Sequence, residues 1–481
     1  MEELNDLITS RKEKLKNLQE KGINAYAYKF ERTHLIKNIL ENFEKFLTEK
    51  TLVQTAGRII SLRNHGKSCF CHIIDSDSKI QIYFKKDIIG EEKFKLFENF
   101  DIGDFIGIKG EVFKTHTNEI TINVKDIEML TKSIRPLPEK WHGLTNVETR
   151  YRQRYVDLIV NSEVKQVFKT RSQIINSIRV FLNKKNFLEV ETPMMQSLPG
   201  GAEARPFITK HNALGINLYL RIAPELYLKR LLVGGFEKIY ELNRNFRNEG
   251  ISRFHNPEFT MLEIYESYVD YYYMMNLAEE LINSLVKEIF QTLQINYQET
   301  LIDFSFPWKR ITMAEAIKEC LGVEVNNDNL KELVEKYNLK PDNFNKGYVM
   351  KELFENYVEK SFVNPTIVYD FPIEISPLSK QKRDNPEVVE RFEIFINGME
   401  ICNAFSELND PVEQKIRMEN QVAKSLKEFK NVDEDYIKAL EYGMAPAAGI
   451  GIGIDRIVML LTNSSSIRDV IFFPQMKQEG E

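Results

Sequence analysis

The stretch Lys238–Tyr265, KIYELNRNFRNEGISRFHNPEFTMLEIY, constrains the fold more than any other part of the chain. Its first half alternates with the period of a β-strand. Ile239, Glu241, Asn243, Asn245 and Arg247 share one face, and Tyr240, Leu242, Arg244 and Phe246 the other. A loop around Gly250–Pro257 turns the chain, and the run Glu258–Tyr265 then places Phe259, Met261, Glu263 and Tyr265 on a common face. Two antiparallel strands built this way carry a surface of arginine, glutamate and aromatic rings. A face meant only for burial against the core is apolar. Arg247 offers a fork of donors that fits a phosphate or a carboxylate. Phe259 offers a flat platform for a base, and Glu249 and Glu263 can accept from amines.

Two further stretches add to this surface. In Arg391–Asp410, RFEIFINGMEICNAFSELND, Asn397-Gly398 predicts a tight hairpin between two strands. Asn403, Phe405 and Glu407 share a face of the returning strand, and Glu400 and Glu407 are candidate ligands for magnesium, which prefers carboxylate and phosphate oxygens. Seven residues apart on an unbroken strand, those two carboxylates point oppositely, so a shared metal requires the strand to bulge or end between them. In Gly443–Leu460, GMAPAAGIGIGIDRIVML, the alternating Gly449, Gly451 and Gly453 predict a strand whose bare backbone lets something approach closely. Asp455 is expected to cap a helix beginning IVML. Arg456 falls in the first turn of that helix, where the dipole disfavours a cation. A negatively charged ligand is the expected compensation.

Length and composition set the frame. At 481 residues the chain exceeds one ordinary core, so two domains and a helical extension are expected. Hydrophobic residues at 43% and charged residues at 28% are the balance of a folded, soluble protein. No stretch reaches the roughly 18 uncharged apolar residues that a membrane span needs. The start, MEELNDLITSRKEKLKN, has no apolar signal core, so a cytoplasmic location with no membrane partner is expected. The four cysteines, Cys69, Cys71, Cys320 and Cys402, lack the spacing of a zinc site and read as ordinary reduced thiols. With a net charge of −6, nucleic-acid contact must rely on local basic surface.

Residues 1–50 read as a polar helical extension. Over 51–132 the texture changes to strands, at Leu52–Leu62, Ser68–Asp75, Lys79–Lys85, Asp104–Lys114 and Glu119–Leu130, with a charged helical piece at Gly90–Phe100. Five strands with a helix after the third is the layout of an OB barrel, a frequent reader of single-stranded nucleic acid. A Pro-containing basic linker spans 133–154. Residues 155–481 mix helices and strands, and about 285–355 reads as a helical insertion. Two tempting phosphate motifs fail. Gly66-Lys67-Ser68 lacks the P-loop glycine, since Ser61 stands there, and Ile454 breaks a G-x-G-x-x-G reading of the later glycines.

Together these residues resemble the three signature motifs of class II aminoacyl-tRNA synthetases, and within that class the lysyl enzymes of bacterial type. The first motif would be the helix Phe168–Lys185 leading to the strand that ends at Pro193 (FLEVETPMM), which in the family forms the dimer interface, the second FRNEGISRFHNPEFT and the third GIGIGIDRIVML. The resemblance implies an α+β multidomain protein: a five-stranded OB barrel that reads the anticodon, and a catalytic domain on a mainly antiparallel sheet flanked by helices. It implies a homodimer that joins L-lysine to tRNA(Lys) with ATP and Mg2+. Arg247 would bridge the amino-acid carboxylate and the ATP α-phosphate, and Arg456 would grip the γ-phosphate end. Glu249, His255 and Asn256 would hold adenosine, with Phe259 stacked on adenine. Glu400 and Glu407 would bind the magnesium. Gly201 and Glu225 would meet the α-amino group of lysine, and Asn403 its carboxylate. Glu263, Tyr265 and Glu407 would surround the side-chain ammonium, with Phe405 in the same pocket. In the barrel, Arg58, Phe70 and Gln81 would read the anticodon. The acidic pair Glu263 and Glu407 also argues for a cationic amino acid over aspartate from the residues alone. The alternatives are a synthetase for asparagine or aspartate, and a relative that lysylates something other than tRNA.

Overall fold

The computed structural model describes residues 2–76, 78–138, 144–424 and 432–478, the side chains of 421–424 excepted. It divides the chain into two compact units, Met1–Thr145 and Asn146–Glu481.

In the first unit, β1 (Leu52–His65), β2 (Ser68–Ile74), β3 (Lys79–Lys85), β4 (Phe105–Lys114) and β5 (Ile120–Thr131) close a barrel in the order β1-β2-β3-β5-β4. Alternation decides what faces in: along β2, Cys69, Cys71 and Ile73 are buried, whereas Phe70 and His72 point out. The helical piece after β3 divides into Lys86–Ile89 and Glu91–Phe97 at Gly90, whose φ of 85° interrupts the helix. The first fifty residues do not stand apart. Leu18, Ala25, Ile36, Ile39 and Phe43 join the barrel core, so extension and barrel fold as one body. A buried ionic knot ties the barrel end: Lys132 Nζ contacts Asp101 at 2.6 Å and Asp104 at 2.8 Å, and Lys14 also reaches Asp101 at 2.6 Å.

The second unit contains β6 (Leu188–Glu189), β7 (Met195–Gln196), β8 (Ile208–His211), β9 (Ile216–Leu220), β10 (Lys238–Phe246), β11 (Glu258–Ser267), β12 (Gln294–Tyr297), β13 (Thr300–Asp303), β14 (Lys309–Thr312), β15 (Thr366–Pro372), β16 (Val388–Ile396), β17 (Met399–Ser406) and β18 (Ala447–Gly453). Eight of these form one sheet in the order β14-β15-β16-β17-β18-β11-β10-β6. It is antiparallel except at its two edges, where β14 pairs parallel to β15 and β6 to β10. One face is the core: Tyr240, Leu262, Ile264, Ile450, Ile452, Ala404 and Ile394 pack with Ile174 and Ile178 of the helix Ser162–Lys184 and Leu281 of the helix Tyr271–Phe290. The alternate residues of the same strands therefore lie on the opposite face, free for chemistry.

Three expectations change. The region about 285–355 is not wholly helical: β12 and β13 form a hairpin and β14 joins the main sheet. Strands of four residues are too short to declare a period in sequence. The last part of the expected linker belongs to the second unit, where Val147–Arg152 is helical and the buried Arg154 bonds Asp157 and the carbonyls of Arg468 and Phe472. Residues 139–143 of that linker lie outside the described residues. The strand expected to lead to Pro193 shrinks to the two residues of β6.

Replacing Lys132 by methionine strands the buried Asp104 carboxylate, while Asp101 keeps Lys14. Breaking such a pair costs about 3–5 kcal/mol, so urea denaturation of Lys132→Met should show a destabilised barrel unit.

Candidate active site

The site is laid out by strand register. In the middle of the sheet β18 presents Gly449, Gly451 and Gly453 on one face, with β11 on one side and β17 on the other. Gly449 lies between Tyr265 and Phe405, and Gly451 between Glu263 and Asn403. Gly453 lies opposite Met261. Three glycines thus make the floor of a trough, and the side chains of the flanking strands make its walls. The absence of a Cβ is required at Gly449, where one would collide with Glu407 Oε1 and the ring of Tyr265.

One end of the trough is an acidic slot. Glu225, Glu263 and Glu407 are all buried. Tyr265 Oη donates to Glu263 Oε2 at 3.0 Å. Gly201, at φ 82°, packs so close to Glu225 that a Cβ there would come within 3.1 Å of the Glu225 Cβ. Glu407 is fully buried, and although Lys229 Nζ lies 2.5 Å from Oε2, neither carboxylate oxygen has an aligned hydrogen-bond donor among the described residues. Burial, and then the neighbouring Glu225 charge, push the Glu263 carboxyl up to about 8. Burial raises Glu407 in the same sense. Carboxylates held this way gain most from an arriving ammonium group. Asn403 Oδ1 accepts from Arg391 Nε at 3.1 Å, which leaves the amide NH2 to face the trough.

The other end is basic. Arg247 follows the last residue of β10, and its guanidinium stands 5.0 Å above the ring of Phe259. Among the described residues the guanidinium makes one hydrogen bond, and it is long, 3.5 Å to the Ile222 carbonyl. Burial disfavours its charge and lowers its pKa, while Glu400, Glu249 and Glu263 oppose that shift. A half-buried fork with idle donors is a ready anion site. Arg456, in the first turn of the helix Ile454–Leu461, bonds the Glu400 carbonyl, lies 3.5 Å from its carboxylate and approaches His255 Nε2 at 3.4 Å. Asn256 is buried with Oδ1 unpartnered among the described residues, and Glu249 is exposed at the rim. Asp455 does not cap the helix. That position is Gly453, and the buried Asp455 carboxylate instead accepts from the Thr260 N–H at 2.7 Å and meets Arg171 at 2.6 Å, pinning β11 and two helices together.

The magnesium expectation needs a correction. The strand does break between Glu400 and Glu407: Phe395 pairs with Glu400 and Ile394 with Cys402, leaving Ile401 as a bulge. The bulge puts Glu400 on the trough face, yet Glu407 belongs to the acidic slot, held by Lys229, with Glu225 and Glu263 as its acidic neighbours. The carboxylate grouped with Glu400 is Glu393, half-buried opposite Asn403 and paired with Arg391 at 2.5 Å. Burial raises the Glu393 carboxyl despite that arginine, and Glu400 and Glu355 add to the rise. Hairpin register across Asn397-Gly398 was the sequence signal that could have found Glu393. Among the described residues no three ligating side chains could hold an ion alone.

On the barrel, Phe70 faces outward, its ring 4.7 Å from Tyr83, which in turn lies 6.1 Å from Phe113. Gln81 donates to Glu119 at 2.8 Å and accepts from Thr121 Oγ1 at 2.8 Å, while His72 Nε2 meets Glu119 at 2.8 Å. Aromatic platforms beside ordered polar groups suit unstacked bases. Arg58 is not among them: it pairs across from Ile74 and Phe105, bonds the Gly103 carbonyl at 2.9 Å and lies 4.1 Å over Phe105. The arginine across from Phe70 is the exposed Arg63, which sequence reasoning missed.

Comparison with known proteins agrees with this geometry. Residues 146–477 match the family described as tRNA synthetases class II (D, K and N), and residues 53–130 match the OB-fold nucleic acid binding domain. The chain is 56% identical over 486 residues to a lysine–tRNA ligase of Carboxydothermus hydrogenoformans, covering 99% of both chains. It is 57% identical to one of Pelotomaculum thermopropionicum, covering 99% of this chain and 96% of that one. It is 50% identical to one of Clostridium tetani, covering 99% and 97%. The chain belongs to the class II tRNA synthetases, in the branch of the lysine–tRNA ligases.

Proposed function

We propose that this chain is a lysine–tRNA ligase that activates L-lysine with ATP and magnesium and transfers it to the 3′ end of tRNA(Lys). The observation that carries the reading is the slot of three buried carboxylates, Glu225, Glu263 and Glu407, on the same sheet face as two guanidinium groups. The side-chain ammonium enters beside Glu263, Tyr265 and Glu407, the α-amino group meets Glu225 near Gly201, and the carboxylate is held by Arg247 and Asn403. That orientation brings a lysine carboxylate oxygen to the ATP α-phosphorus. A new P–O bond forms, the bond to the β-phosphate bridge breaks, and pyrophosphate leaves. In the second step the terminal ribose 3′ hydroxyl attacks the acyl carbon and AMP departs. No protein nucleophile is needed; positioning and charge neutralisation by Arg247 and Arg456 carry the first step. Adenine stacks on Phe259, while Glu249, His255 and Asn256 hold the adenosine. Magnesium, held by Glu400 with Glu393, would supply further neutralisation of phosphate charge.

The anionic slot disfavours aspartate. The barrel face of Phe70, Tyr83, Gln81 and Arg63 supports tRNA over another acceptor, with the anticodon as the part read. A homodimer is supported by exposed apolar residues near the first motif, among them Leu188, Met194, Met195, Ile208 and Ile216. No helix among the described residues is long and apolar enough to cross a membrane, which fits the proposed cytoplasmic site of action.

ATP–pyrophosphate exchange across the twenty amino acids should give activity with lysine and background with asparagine and aspartate; activity with either of those alone would defeat the reading. Arg247→Ala should keep the fold by circular dichroism and lose exchange by about 10²–10³-fold. Gly449→Ala forces Glu407 or Tyr265 to move, and overpacking of about 1–3 kcal/mol should appear as a lysine KM raised roughly ten- to a hundredfold. Before lysine binds, Glu263 keeps a proton below about 8, and a bound ammonium requires the carboxylate, so lysine expels that proton. The lysine KM should therefore fall as pH rises from 6 to 8, by up to about tenfold per unit, and level off above.

A further inference from the structure

A fourth charged group shares the amino-acid slot. Lys229 lies one turn beyond Glu225 on the helix Glu225–Val233 and has no exposed surface. Its Nζ donates to Glu225 Oε1 at 2.6 Å and lies 2.5 Å from Glu407 Oε2. The same ammonium stands 5.1 Å over the ring of Phe405. From the helix Glu434–Glu441, Tyr436 faces it, fully buried and with a hydroxyl that has no hydrogen-bond partner among the described residues. Glu263 and Tyr265 of β11 are further titratable neighbours of Glu407. Lys229 thus bridges Glu225 and Glu407.

Once lysine has expelled the Glu263 proton, three carboxylates less one ammonium give the slot two negative charges. L-lysine brings two ammonium groups, and its own carboxylate goes to Arg247. We infer that Lys229 is a positioning and specificity-determining residue: a fixed internal ammonium that bridges Glu225 and Glu407, offsets their mutual repulsion, and leaves unmatched only the charge that a diammonium substrate neutralises. This inference rests on the lysine reading above. Burial works against the Lys229 charge, but Glu225 and Glu407 outweigh it and raise the amine above the ordinary lysine value. Without that charge, neighbouring buried carboxylates relieve their repulsion by taking up a proton, and a carboxylic acid is a poor partner for an ammonium group. Lys229 is bonded to the carboxylates rather than to the trough end that carries Arg247, so its loss should weaken lysine binding more than it slows chemistry.

The test is ATP–pyrophosphate exchange with L-lysine for the wild type, Lys229→Met and Lys229→Arg, with folding followed by circular dichroism and thermal melting. A wild type that does not exchange with lysine overturns the functional reading itself. Given wild-type exchange, a folded Lys229→Met should show a lysine KM raised at least tenfold, an unchanged KM for ATP and a kcat within about threefold; Lys229→Arg, which keeps the charge, should retain more lysine affinity than Lys229→Met. A folded Lys229→Met with wild-type lysine KM, or one that loses kcat and ATP affinity together, overturns the inference. Should Lys229→Met not fold, NMR of wild-type protein labelled at lysine Nζ decides, with the Lys229 resonance assigned by its loss in Lys229→Arg. A protected ammonium signal that shifts on adding unlabelled L-lysine is expected, and a signal that stays in place overturns the inference.

Discussion

The middle strand of the large sheet works by leaving space. β18 has a single register with both neighbours, and on its open face that register aligns glycine with Tyr265 and Phe405 in one row and with Glu263 and Asn403 in the next. The opposite face of the same strand carries Ile450 and Ile452, fixed in the core. Because side chains alternate, the apolar packing that anchors the strand also dictates which residues line the trough. A slip of one residue would put isoleucine on the floor and glycine in the core, so the same burial that stabilises the sheet specifies the site.

Electrostatics divide the trough into two ends that each lack a partner. The acidic end buries three carboxylates against one internal ammonium, and the basic end holds Arg247 with most of its donors idle. Burying charge without full compensation is costly, and the core, with its continuous cluster from the helix Ser162–Lys184 through the sheet to Ile454–Leu461, supplies the stability that tolerates it. Lysine and ATP together bring the missing signs to the two ends. Binding and charge compensation are then one event, which is how a site without a nucleophile can accelerate phosphoryl chemistry.

Much of this was legible in the residues. The alternation through Lys238–Tyr265, the Asn397-Gly398 turn and the glycine stripe marked five of the central strands, and the five barrel strands fall within a few residues of their expected limits. What escaped reading depended on contacts across the sheet or between elements. Glu393 joins Glu400 only through hairpin register and the bulge at Ile401. Arg63 reaches Phe70, and Arg58 does not, because of pairing between β1 and β2. Asp455 looked like a cap because it stands at the start of a helix, but the helix begins one residue earlier and the carboxylate serves Thr260 and Arg171. Lys229 was visible as an i,i+4 partner of Glu225 on a helix; nothing local revealed that Glu407, far along the chain, would meet it.

The central claim is that the slot recognises charge at the end of a four-methylene side chain. Titration calorimetry with L-lysine and with L-norleucine, of similar length but ending in a methyl group, tests it directly in the presence of a non-hydrolysable ATP analogue. A site built around buried carboxylates should favour lysine by at least about 10³-fold. Comparable affinity for the two amino acids, or a preference for norleucine, would contradict the account.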